Sequence, residues 1–174
     1  MPATRLAIAL GANLPSPAGS PRQTLLAVRP QLEALLAAWT ESGLDGANSR
    51  AEGCDQGLSC AWSPLLETAP VGGPANQPSY LNAVVLLTGD VGAPGSDRAL
   101  ALLEHLHGLE RKFGRDRTRE QRWGPRTLDL DLLFWDELRL EHPRLVLPHP
   151  RLHLRTFVLE PLLAAMQQSV EWVE

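Results

Sequence analysis

Apolar positions recur along the chain in a few clear rhythms, and each rhythm predicts an element. Arg5 to Leu10 is a short apolar run closed by Gly11-Ala12-Asn13-Leu14, which reads as a first strand and its turn. Ser20-Pro21 resembles a helix cap with proline at the first helical position. Leu25, Leu26, Val28, Leu32, Leu35 and Leu36 then form a helical stripe to about Ala38, which Pro30 is expected to kink or shorten. Thr40 to Ser59 has little periodicity and much Gly, Ser, Asp and Asn, so it reads as a surface loop of unusual length. Cys60 to Thr68 reads as a second strand, Ala69 to Ser79 as a Pro/Gly-rich loop, and Tyr80 to Thr88 as a third strand. Ser96 or Asp97 is expected to cap a second helix, marked by Leu100, Leu103, Leu106 and Glu110 and stopped by Gly114. Thr127 to Phe134 alternates as a strand. Asp136-Glu137 is expected to turn a small hairpin into Leu138–Leu140, and a last helix runs from about Arg155 to Gln167.

Strand, helix, strand, strand, helix, strand is the βαββαβ order of ferredoxin-like folds. The predicted fold is therefore a ferredoxin-like α+β sandwich with a C-terminal extension. At 174 residues, 1–174 reads as a single domain with room for a real core. The net charge of −4 does not suit a protein that coats nucleic acid. No run approaches the roughly 18 apolar residues of a membrane span, and the N-terminus reads as a strand, not a signal peptide. Cys54 and Cys60 are too few for a disulfide framework and lack a metal-site pattern. The expectation is a cytoplasmic monomer with free thiols and neither a nucleic-acid nor a membrane partner.

The candidate chemistry lies in Arg122-Trp-Gly-Pro-Arg-Thr-Leu-Asp-Leu-Asp-Leu-Leu133. Asp129 and Asp131 sit two apart in a strand, so they share a face, with Cα atoms roughly 7 Å apart. They are either two solvated carboxylates or a pair that shares a cation. Mg²⁺ prefers a few carboxylates plus phosphate oxygens, whereas Zn²⁺ would want nitrogen or sulfur, which this strand lacks. Upstream, seven of the 16 basic residues fall between Arg111 and Arg126. Arg115, Arg117, Arg119 and Arg122 suit a solvated basic loop. Arg126 is held near the carboxylates by the Gly124-Pro125 turn, where its fork can bind phosphate. No Gly-x-x-x-x-Gly-Lys-Ser/Thr loop is present. Trp123 is core filler or a stacking platform. His149, between two prolines, is a structural histidine or a partner for phosphate or ribose. Tyr80 and Asn82 are ordinary strand residues or a stacking ring and a pairing amide for a flat heterocycle. Phe157 is the opposite wall or core. An RNA-binding module using Trp123 competes with these readings, against the negative net charge and the single tyrosine.

The central stretch resembles the signature of the 6-hydroxymethyl-7,8-dihydropterin pyrophosphokinases. Ala9-Leu-Gly-Ala-Asn-Leu14, Glu67-Thr-Ala-Pro-Val-Gly72, Gln77-Pro-Ser-Tyr-Leu-Asn-Ala-Val84, Leu147-Pro-His-Pro-Arg151 and Arg155-Thr-Phe157 resemble other segments of that family, in the same order. The resemblance implies pyrophosphate transfer from MgATP to a hydroxymethyl pterin. Asp129 and Asp131 would hold two Mg²⁺, with Arg126 and Arg115 near the transferring phosphates. Arg117, Arg122 and Arg155 would contact phosphate or ATP, His149 would touch ATP, Glu110 would stand at the ATP site, and Trp123 would help close it. Tyr80 and Phe157 would sandwich the pterin, while Asn82, Thr68 and the backbone near Val71 would read its edges. Two segments, Thr40–Ser59 and Gly114 to Trp123, are longer than the family pattern.

Overall fold

The structure, a computed structural model, describes residues 4–42, 57–167 and 172. Its main sheet is antiparallel and centred on β1 (Thr4–Ala12). β4 (Tyr80–Gly89) lies on one side of β1 and β5 (Asp129–Trp135) on the other. The free edge of β4 pairs with β2 (Ser59–Trp62) and then with β3 (Leu66–Thr68). The expected second strand is thus two strands. Pro64 has no N–H for the ladder, and Ser63, whose N–H still donates to the Val84 carbonyl, accepts the Val84 N–H on its side-chain Oγ at 2.9 Å.

Alternation along β1 builds two cores. Leu6, Ile8, Leu10 and Ala12 face α1 (Pro21–Ser42) and α2 (Ser96–Lys112), whereas Ala7 faces α3 (Thr156–Gln167). A register shift between Ala7 and Ile8 inserts Leu133 as an extra residue in β5. It turns Phe134 to the α3 side and Trp135 to the α1/α2 side, where Trp135 meets Trp39 edge-on at 5.1 Å.

α1 begins with a capping box: Ser20 Oγ accepts the Gln23 N–H, and Gln23 Oε1 accepts the Ser20 N–H. The helix is not shortened at Pro30 and runs on to Ser42, past the expected end near Ala38. Pro30 is exposed, while Leu25, Val28, Leu32 and Leu36 are fully buried on both sides of it. Burial of that stripe outweighs one missing hydrogen bond. The two ends of the expected Thr40–Ser59 loop belong to α1, which ends at Ser42, and to β2, which starts at Ser59; residues 43–56, with Cys54, lie outside the described residues.

Other boundaries shift as well. Gly95, not Ser96 or Asp97, is the N-cap of α2, and it offers no side-chain bond. Gly114 closes that helix at φ +83°, as its position predicted. Asp136-Glu137 forms a turn, but the hairpin lies further on, between β6 (Leu140–His142) and β7 (Leu145–Leu147), in a separate two-stranded sheet. A 3₁₀ turn at Leu152–Leu154 precedes α3. No helix among the described residues is long and apolar enough to cross a membrane.

Candidate functional site

The cleft is built from cross-strand rows on the α3 side of the sheet. Asn82 of β4 pairs with Gly11 of β1, which pairs with Asp129 of β5. In the next row, Val84 pairs with Ala9 and Ala9 with Asp131. Directly opposed residues point to one face. Gly11 and Ala9 therefore form a low floor between a polar amide and an acidic pair. A Cβ on Gly11 would stand 3.2 Å from Asn82 Oδ1.

Above this floor is a cavity of about 120 Å³. Thr68, Val71, Tyr80, Asn82 and Phe157 line one part of it, and Trp123, Arg126, Asp129, Asp131 and Arg155 line the other. The chain brings them from 68 to 157, because the end of β3 and the starts of β4, β5 and α3 meet at this cleft. Asn82 Nδ2 donates to Thr68 Oγ1 at 2.7 Å, which leaves Oδ1 facing the floor. Tyr80 Oη donates to the Gly124 carbonyl at 2.9 Å, which ties β4 to the arginine-rich loop before β5. Burial raises the Tyr80 phenol pKa, so it remains a donor at neutral pH.

The two aspartates differ. Burial opposes charge on Asp129, but Arg115 at 2.6 Å and Arg126 at 3.1 Å outweigh it and hold the carboxyl below its ordinary range. Asp131 is pushed up to about 7 by burial and by the Asp129 charge, and Arg155 at 3.8 Å offsets only part of this. A buried-edge carboxylate pair whose second member resists charging fits a divalent cation, which would favour ionisation of both. Among the described residues no group of three or more His, Cys, Asp or Glu gathers as a full protein cage. A divalent cation held here would have two carboxylates as its protein donors, a set that suits Mg²⁺.

Several residues expected at ATP or its phosphates do not line this cavity. Arg115 is buried beneath the cleft, where its guanidinium bonds Glu110, Glu120 and Asp129 and the Leu128 carbonyl. Burial works against its charge, yet those carboxylates keep it protonated. Glu110 is 1% exposed and accepts from Arg115, Arg117 and the Leu130 N–H. Burial raises its pKa against the pull of Arg115. These residues form an ionic keel that joins α2 to β5. Arg117 reaches Glu110 Oε2 at 2.8 Å with its side chain half exposed. Arg122 and Arg151 flank the exposed Trp123 ring, with centroid distances of 4.7 and 5.3 Å. His149 lies outside the cavity wall. Its N–H donates to the Leu133 carbonyl, and its Nδ1 accepts the Arg151 N–H, so Nε2 carries the proton. Burial and then Arg155 lower its pKa, so the ring is neutral at pH 7.

Sequence reasoning passed over Gly11, Asn13, Gln77 and Glu120. Asn13 is 2% exposed; its Oδ1 accepts the Arg126 N–H and its Nδ2 donates to the Pro78 carbonyl. The one signal for it was an amide directly after a buried apolar strand. Gln77 and Glu120 act through partners 46 and 5 residues away, which no local pattern reveals.

The fold and the cleft define a class: a mixed α/β protein whose sheet carries an acidic pair and arginines beside an aromatic-walled pocket. The sequence model of the family described as 7,8-dihydro-6-hydroxymethylpterin-pyrophosphokinase matches residues 7–167. A 2-amino-4-hydroxy-6-hydroxymethyldihydropteridine pyrophosphokinase of Pseudomonas aeruginosa is 38% identical over 158 residues, which covers 91% of this chain and 78% of that protein. Proteins of the same name from Synechocystis sp. and Bacillus subtilis are 43% and 41% identical over 98 and 106 residues. Those alignments cover 56% and 61% of this chain, and span 45% and 58% of the relatives. The chain belongs to the 7,8-dihydro-6-hydroxymethylpterin-pyrophosphokinase family.

Proposed function

We propose that this chain transfers pyrophosphate from ATP to the hydroxymethyl oxygen of 6-hydroxymethyl-7,8-dihydropterin, giving the pterin diphosphate and AMP in folate biosynthesis. The observation that carries the reading is the row Asn82–Gly11–Asp129, which sets a pairing amide and an acidic pair on one floor inside a single cleft. Family membership supports the substrates. The order β2–β4–β1–β5, with α1 and α2 on one face, supports a ferredoxin-like frame, with α3 as the extension on the other face.

In this reading Tyr80 and Phe157 flank the pterin, and Asn82 Oδ1 accepts from a ring N–H or amino group. Asp129 and Asp131 are the residues that would hold Mg²⁺, which would supply positive charge to offset that of the triphosphate. Arg126 Nη1 is 3.1 Å from Asp129 and lines the cavity, so its fork stands where charge develops. Arg155 also lines the cavity, 3.8 Å from Asp131. The hydroxymethyl oxygen attacks the β-phosphorus, the bond from that phosphorus to the α,β-bridging oxygen breaks, and AMP leaves with the bond's electron pair. The hydroxyl proton passes to solvent. A loose transition state needs little early deprotonation, and no side chain is assigned as base. Positioning and charge stabilisation supply the rate.

The test is AMP release from ATP with and without the pterin. Asp129→Ala and Asp131→Ala are each expected to abolish pterin-dependent AMP formation while the protein stays folded. Near-normal turnover by either purified variant refutes the metal assignment. Arg126→Ala is expected to lower kcat more than it weakens pterin binding, as loss of a transition-state contact requires.

A further inference from the structure

Two loops meet over the cleft. One runs from Ala69 to Ser79 on the acceptor side, and the other is the arginine loop that ends at Arg126. Gln77 stands between them, half-buried. Its Nε2 donates to the Gly72 carbonyl of its own loop at 3.2 Å and to the Trp123 carbonyl of the other at 3.0 Å. Both partners are carbonyls, so the amide is fixed with its NH₂ toward them. Its Oε1 is buried with no partner. A buried unpaired carbonyl costs free energy, and an amide is kept at such a position for what its nitrogen does.

The contact holds Trp123 in a demanding state. Trp123 sits at φ +57°, a region that a bulky side chain rarely adopts. Backbone in such a state persists only when its surroundings over-determine it. Those surroundings belong to the acceptor loop. A Cβ on Gly72 would stand 3.1 Å from the Trp123 ring, and one on Gly73 would collide with the Trp123 carbonyl oxygen. The next carbonyl, that of Gly124, accepts from Tyr80 Oη at 2.9 Å and from Arg126 Nε at 3.3 Å. A continuous path therefore runs from the wall of the acceptor pocket through Trp123 and Gly124 to the Arg126 guanidinium and Asp129.

We propose that Gln77 is a positioning residue that couples the two halves of the cleft: by holding the Trp123 carbonyl, it makes acceptor binding and placement of the arginine loop for the nucleotide favour each other. Filling the acceptor pocket orders Val71 and Gly72, Gln77 passes that order to Trp123, and Arg126 is presented to the phosphates. By linkage the nucleotide must favour the acceptor by the same factor. The inference rests on the reading of the cleft as a joint nucleotide and pterin site.

The test is calorimetric binding of Mg²⁺ with α,β-methylene ATP, which cannot undergo the transfer, with and without 6-hydroxymethyl-7,8-dihydropterin. Wild-type protein is expected to bind each ligand more tightly when the other is present. Gln77→Met keeps the side-chain volume and removes the donor. It is expected to cut this mutual enhancement roughly three- to tenfold, the size of one hydrogen bond, with the affinity for nucleotide alone held within about twofold. Gly73→Ala pushes the same two loops apart through the backbone and is expected to show the same loss. If Gln77→Met and Gly73→Ala keep the wild-type enhancement, or if each ligand alone weakens while the enhancement stays whole, the coupling role is wrong and Gln77 is only structural. Wild-type protein that forms AMP yet shows no mutual enhancement overturns this inference alone. Wild-type protein that forms no AMP from ATP and the pterin overturns the functional reading, and this inference with it.

Discussion

Replacing Arg115 with methionine removes one guanidinium from between three carboxylates. The Arg115 side chain is 3% exposed, and it bonds Glu110 at 2.8 Å, Asp129 at 2.6 Å and Glu120 at 2.6 Å. Asp129 keeps Arg126, and Glu120 turns to water. Glu110 cannot: at 1% exposure it keeps only Arg117 and the Leu130 N–H. Stripping one partner from a buried pair costs about 3–5 kcal/mol, mostly because the remaining charge is left uncompensated. At this chain length each kcal/mol moves Tm by about 2–4 °C, so a drop of about 6–20 °C is expected. The pH dependence gives a second signature. Glu110 has a folded-state pKa that burial has already raised, and it rises further without Arg115. A carboxyl raised in the folded state takes up a proton on folding, so the added destabilisation is greatest above that pKa and shrinks as pH falls. The double variant Arg115→Met/Glu110→Gln removes the stranded charge while the amide oxygen still accepts the Leu130 N–H. It is expected to recover at least half of the loss. Urea unfolding at pH 8 and pH 5 measures both. A loss under about 1 kcal/mol, or a double variant no more stable than the single, refutes the ionic-keel account. Turnover of the double variant well below its Tm then shows separately whether Arg115 acts on phosphate: restored stability with lost activity assigns it a chemical role as well.

Two further outcomes follow from single residues. Gly11→Ala places a methyl group 3.2 Å from Asn82 Oδ1 on the cleft floor, and is expected to raise the pterin KM about tenfold, equivalent to roughly 1.4 kcal/mol, while Tm changes little. An unchanged KM refutes the placement of the pterin on that floor. Cys60 has its thiol pushed up to about 11 by burial and then by Glu33, so it stays protonated at pH 8; in a Cys54→Ser background its alkylation is expected to lag far behind a free thiol and to quicken as pH rises toward 11, as followed by mass spectrometry.

The parts of the fold that were legible in sequence are those where one residue's neighbours are fixed by backbone period. β1, β4 and β5 alternate or run apolar, so their faces could be read, and with them the shared face of Asp129 and Asp131. The stripe on α1 was legible too, but its survival past Pro30 was not, because the compensation is tertiary burial of Leu32, Leu36 and Trp39. The break at Ser63-Pro64 and the detached β6–β7 hairpin depend on which edge each strand meets, which a local window does not contain. The arginines were the hardest. Arg115, Arg117, Arg122 and Arg126 look alike in a basic run, yet one is buried among carboxylates, one reaches back to α2, one stacks on Trp123 and one lines the cleft. Their roles are set by distant acceptors.

That division also separates what is rigid in the site from what adapts. Asn82, Gly11 and Asp129 lie on three adjacent strands, so two strand spacings set the span from amide to carboxylate at about 10 Å. A sheet does not change this span without breaking ladder bonds, so the distance between the two halves of the cleft belongs to the fold. Most of the cationic groups come instead from loops: Arg126 is held by Asn13 and Gly124, and Trp123 by Gln77. Rigid elements suit groups that must keep a spacing, and loops suit groups that must follow charge as it moves. In the proposed function the acidic strand is therefore a fixed ruler between the pterin and the nucleotide, and adjustment to moving charge falls to side chains clasped from across the cleft.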